Sequence, residues 1–243
     1  MEKGLGQREI IEQLQKEILL LQGFKVQDDA AVDRIRLATI ENAFPNSVFP
    51  TGAIHEFINL EPEHAAASGG FLGGILKSLM HDGGACLWIS AARTLFPPAL
   101  KLFGVEPDRI IFIDLKREKD VLWAMEEALK CEGLAAVVAE VSAINLTQSR
   151  RLQLTVERSK VTGFILRDQV QKMSNTACVA RWRVKPILSE MEDGMPGVGF
   201  PRWNVELLKV RNGLPGSWDI EWFAGKFNLV AQERFINANL KVG

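Results

Sequence analysis

HEFINLEPEHAAASGGFLGGILKSLMHDGGACLWIS, residues 55–90, decides the fold. It begins inside a short apolar run, Ala53 to Leu60, which reads as a strand. Glu63 to His81 then puts Ser68, Phe71, Leu72, Ile75, Leu76 and Leu79 on one helical face, and Ala85 to Ser90 returns to a buried strand. The same alternation continues outward. Arg109 to Asp114, Leu134 to Val141 and Gly163 to Arg167 read as strands. Phe96 to Phe103 reads as a short helix opened by Pro97 and Pro98, and Lys119 to Cys131 and Thr147 to Ser159 as longer ones. Apolar strands separated by helices predict a parallel sheet covered on both faces, and right-handed crossovers make it doubly wound.

Beyond residue 175 the rhythm changes. Cys178 to Ile187, Trp203 to Arg211 and Trp218 to Phe223 alternate with period two between Gly/Pro turns, so they predict antiparallel strands extending the sheet edge. Glu190 to Phe200 reads as a mobile loop, and Phe44 to Gly52 as a linker or loop. Arg8 to Leu21 places Ile10, Leu14, Ile18 and Leu21 at helical spacing, an amphipathic helix. Three parts result: a helical region over 1–45, an α/β domain over 46–225 and a tail over 226–243, whose Leu229 to Leu240 has no clean period.

The 243 residues are 47% hydrophobic and 24% charged, an ordinary globular composition, long enough to bury a core without staples. The three cysteines, Cys86, Cys131 and Cys178, have neither CxxC nor metal-ligand spacing and read as buried thiols of a reducing cytoplasm. There is no apolar run of signal-peptide or membrane-spanning length. A net charge of −1 does not mark a nucleic-acid binder, so any DNA contact needs a local basic face.

Sheets of this kind hold phosphate on a Gly-rich turn after the first core strand. Backbone N–H groups cradle it, a lysine reaches the terminal phosphates, and Ser/Thr holds magnesium. Here the turn runs from Asn59 through Leu60, Glu61, Pro62 and Glu63 to Ser68, with no glycine before Gly69, no lysine, and two carboxylates. GxxxxGK[ST] occurs nowhere else. Gly69, Gly70, Gly73 and Gly74 each cost a helix about 1 kcal/mol relative to alanine. Close packing against the sheet is the reading that explains them. His55, His64 and His81 have no ligand spacing, Glu126 and Glu127 are adjacent on a helix and point apart, and no GxSxG is present. No cofactor, metal or catalytic residue is expected.

From about residue 50 to 223 the chain resembles RecA recombinases. Residues 55–90 are similar to that family's Walker A strand, loop, helix and following strand, without the loop's Gly, Lys and Thr. Ser90-Ala91-Ala92-Arg93 lacks the catalytic glutamate that follows the second strand, and Glu140 stands at or beside the Walker B aspartate. PTGAIHEF (50–57), DVLWAMEEALKCEGLAAVVAEV (120–141), SRRLQL (149–154), ARWRV (180–184) and PRWNVELLKVRNG (201–213) resemble, more closely, the ImuA family of RecA/SulA-related mutagenesis-cassette proteins. The resemblance implies a RecA-like P-loop-NTPase-type sheet with a parallel core, an antiparallel extension and a degenerate nucleotide site. It implies a non-enzymatic role in SOS-induced translesion synthesis in the cytoplasm, with an ImuB-type polymerase homologue and an error-prone DNA polymerase III alpha-type subunit as partners. RecA and single-stranded DNA are further partners to test. The alternatives are a RecA-like DNA-dependent ATPase with an atypical site, which would have to hold phosphate by backbone alone beside Glu61 and Glu63, and a SulA-like cell-division inhibitor, a smaller class that chain length and the full alternating core disfavour.

Arg181, Arg183 and Lys185 fall on one strand face, with Cys178, Ala180, Trp182 and Val184 on the other. With Arg202, Lys209 and Arg211 from the neighbouring strand and Arg150 and Arg151 from a helix, they are candidates for a basic rim contacting DNA or an acidic partner. The simpler account packs Trp182, Trp203, Trp218 and Trp222 between the sheet and its cover and leaves the arginines solvated or paired with Glu206 and Glu221.

Overall fold

The computed structural model describes residues 13, 14, 17, 35–91, 95–168, 173–190 and 199–230. Most of the predicted helix at Arg8 to Leu21, and most of the loop at Glu190 to Phe200, lie outside the described residues. Nine strands form one sheet: β1 (Ile54–Asn59), β2 (Ala85–Ser90), β3 (Ile110–Asp114), β4 (Leu134–Val141), β5 (Thr162–Asp168), β6 (Ala180–Ile187), β7 (Arg202–Val210), β8 (Gly216–Phe223) and β9 (Lys226–Leu229). Their order is β3-β2-β4-β5-β1-β6-β7-β8-β9. The pairings from β3 through β1 to β6 are parallel, and those from β6 to β9 antiparallel. The parallel core and antiparallel extension are as the sequence predicts.

Among the described residues, helices α1 (Pro62–Leu79), α2 (Glu118–Ala128) and α3 (Leu146–Ser159) cover the sheet. Strand alternation sorts the side chains into two cores. Cys86, Trp88, Ala136, Val138, Phe164 and Trp182 pack against Phe71, Leu72, Ile75 and Leu76 of α1. On the opposite face Ile89, Val137, Ala139 and Ile165 pack against Val121, Met125 and Leu129 of α2 and Leu152 and Val156 of α3. Phe96 to Phe103 is a 3-10 helix, Pro97–Phe103, lying on α1.

Several details depart from the sequence reading. Phe44 and Phe49, in the expected linker or loop, are buried, and Phe49 stacks on His55 with 4.4 Å between ring centroids. Ile35, Leu37 and Ile40 join the same core, so these residues pack into the α/β body. Lys226–Leu229, placed in the tail, is a strand with Phe227 buried. Cys131 is exposed, whereas Cys86 and Cys178 are buried as expected, and burial pushes both of those thiols up. No helix among the described residues is long and apolar enough to cross a membrane.

Candidate functional site

Only Leu60 and Glu61 lie between the last residue of β1 and the first of α1. A phosphate-wrapping loop places four residues between its two glycines alone, so this connection has no length to form a cradle. Pro62 occupies the first helical position and removes one of the N–H groups that an anion would use. Glu61 is the N-cap and makes no side-chain cap, and Glu63 adds a second carboxylate in the first turn. Hydrogen bonding to its own backbone N–H, then to Glu61, holds the Glu63 carboxyl below the usual range.

The polar side chains behind the turn are tied to one another. Ser68 Oγ donates to Asn59 Oδ1 at 2.7 Å, and Asn59 Nδ2 donates to Asp168 Oδ1 at 2.8 Å. Trp88 Nε1 donates to Glu140 Oε1 at 2.7 Å, so Glu140 is buried and bonded to an indole. Pro62, Trp88, Leu95, Phe103 and Leu166 wall a cavity of about 280 Å³ here, with Glu140 and Asp168 as its acidic groups. Three of the four helix glycines, Gly70, Gly73 and Gly74, serve packing as expected, whereas a Cβ on Gly69 would meet only Leu95 at ordinary contact distance. A Cβ on Gly73 would stand 3.0 Å from Phe103, and one on Gly74 would meet the rings of Phe227 and Trp222.

The candidate basic residues do not gather into one surface. Arg181 is buried, its Nε donating to Glu56 Oε2 at 2.8 Å. Arg183 and Lys185 both pair with Glu206, and these hydrogen bonds hold its carboxyl below the usual range although partial burial pushes the other way. Arg202 pairs with Glu221 and Glu190. Lys209 Nζ and Arg211 Nη2 donate to the carbonyls of Thr176 and Ala177, clasping the β5–β6 connection. Arg151 and Arg150 sit apart on α3, Arg151 donating to both oxygens of Glu126 and Arg150 exposed. Trp182, Trp203 and Trp222 are buried and Trp218 half-buried, which is the packing arrangement. Lys209 stands opposite Arg181 in the ladder, the one cross-strand pairing of candidates.

Sequence reasoning missed the ion cluster beneath these strands. Glu56, fully buried, also accepts from Arg167 Nη1 at 2.7 Å and Thr176 Oγ1 at 2.8 Å. The signal was present. A glutamate inside IHEFIN and an arginine closing GFILR are charges in buried strands, and buried charges are paired. Among the described residues no group of His, Cys, Asp and Glu could hold a metal.

No family model matches the chain. It is 34% identical over 195 residues to Protein ImuA of Caulobacter vibrioides, strains NA1000 / CB15N and ATCC 19089 / CIP 103742 / CB 15, covering 75% of this chain and 80% of that protein. Among solved structures it resembles the crystal structure of the RadB recombinase with a TM-score of 0.51 at 12% identity, over 74% of this chain and 91% of that one. That likeness establishes a recombinase-type fold.

Proposed function

The chain belongs to the ImuA family, and from that premise we propose that it is a non-catalytic accessory protein of SOS-induced translesion DNA synthesis. It works through contacts with an ImuB-type polymerase homologue and an error-prone replicative polymerase subunit. The observation that carries the reading is the two-residue, lysine-free turn between β1 and α1, with Glu61 and Glu63 at its mouth. Each carboxylate repels a phosphate charge brought to the turn, and neither has a lysine beside it to offset the repulsion. Without a nucleotide to hydrolyse, protein surfaces are the working parts.

The test is affinity purification of the tagged chain from DNA-damaged cells, with bound proteins identified by mass spectrometry. The reading expects the polymerase components of the cassette. Recovery of the division-ring protein instead would favour the SulA-like alternative and overturn it.

A further inference from the structure

Two cavities, of about 500 and about 150 Å³, share Lys119, Leu122 and Gln148, so they form one groove between α2 and α3. Its larger end lies where β4 and β5 stop, with Leu122, Ile144 and Met173 as apolar walls and Arg167 in its lining. Its smaller end is bounded by Trp123, Glu126 and Arg151. Trp123 is 65% exposed while Val121 and Met125 of the same helix are fully buried, so the core does not require this indole. Exposed tryptophan beside a cavity is a common anchor of protein interfaces.

The charges in the groove are unequally used. Glu118 accepts from the Ser142 N–H and Oγ and from the Ala143 N–H, and Glu126 is paired with Arg151. Both acidic groups are therefore held by the chain itself. Lys119 is exposed and makes no ion pair with the described residues. Below it, one carboxylate, Glu56, serves two guanidinium groups, Arg167 and Arg181, and Arg167 Nε is buried with no hydrogen-bond partner. The buried cluster thus carries an excess positive charge at the groove's larger end. The N-terminus of α3 adds nothing for an anion, because the Asn145–Gln148 capping box closes it.

The geometry points to this groove as the docking site for an extended acidic segment of a partner protein, an apolar residue seated between Leu122 and Met173 and a carboxylate received by Lys119 and Arg167. This deepens the proposed function and rests on its reading that the chain acts by protein contacts. Nucleic acid fits less well. The apolar walls would find no complement in a sugar-phosphate backbone.

Fluorescence anisotropy of the full chain with a labelled peptide of alternating aspartate and leucine tests the groove. A lysine-leucine peptide and oligothymidylate serve as competitors. The variants are Lys119→Glu, which suits the first turn of a helix, and Trp123→Ala, at an exposed position. The acidic peptide should bind, each variant should weaken it at least about tenfold, and neither competitor should displace it. No binding of the acidic peptide, equal binding by both variants, or displacement by oligothymidylate overturns the proposal. Co-purification separates it from the broader reading. Cassette proteins retained equally by wild type and both variants sink the groove alone, whereas a wild-type chain that retains none sinks the proposed function.

Discussion

Glu56 is the single carboxylate on which two buried arginines depend. Removing one partner of a buried pair leaves uncompensated charge, so Glu56→Gln should lower stability by about 3–5 kcal/mol, read by urea denaturation. Its neighbour His55 faces the other core, where Nε2 bonds the Pro50 carbonyl at 2.7 Å and Nδ1 accepts from Trp182 Nε1 at 3.3 Å. Both ring nitrogens are thus used by the neutral ring, and burial lowers its pKa from 6.5 to about 4 despite the Pro50 bond. The folded state therefore binds fewer protons than the unfolded chain between those values. Stability is complete above pH 6.5 and falls as the pH drops toward 4, by about 3 kcal/mol at 1.36 kcal/mol per pH unit. Denaturation midpoints at pH 7, 5.5 and 4.5 should show this slope, and His55→Gln should flatten it. Neither residue's role was legible from spacing. Arg181 reads as a solvated strand arginine because its partner, Glu56, is 125 residues away in sequence.

Helix α1 shows packing overriding propensity. Gly74→Ala improves the helix by about 1 kcal/mol, yet its Cβ would enter the rings of Phe227 and Trp222, and overpacking costs about 1–3 kcal/mol. The variant should lose net stability of up to about 2 kcal/mol. Gly69→Ala meets only Leu95 Cδ1, at 3.5 Å, and should stabilise by up to about 1 kcal/mol. Thermal melts of both variants check the contrast. The parallel strands were legible because they are near-continuous apolar runs. β9 was not, since its hairpin turns on Ala224-Gly225, with φ of 52° and 72°. A two-residue turn with both φ values positive normally advertises itself as Asn-Gly or Asp-Gly, and alanine hides the signal. Phe44 and Phe49 were misplaced for a related reason: their backbone is irregular, as the prolines indicate, while their rings are core.

At the scale of the molecule, a recombinase-type sheet keeps its layers while the turn that would hold phosphate shortens to two residues. The missing glycines and lysine were readable in the sequence; the shortness of the turn and the bonding of Glu140 to Trp88 needed the structure. The groove between α2 and α3 was unreadable because it joins residues from two helices and the β5–β6 connection. Complexes with cassette partners should form equally with and without magnesium and ATP, as size-exclusion chromatography would show. The most direct measurement is the Tm of the isolated chain with and without 1 mM magnesium-ATP, a concentration of about 100 times a Kd of ~10 μM. The account predicts an unchanged Tm. A rise of about 5–10 °C, as the ~2.7 kcal/mol from such binding would produce in a chain of this size, would contradict it.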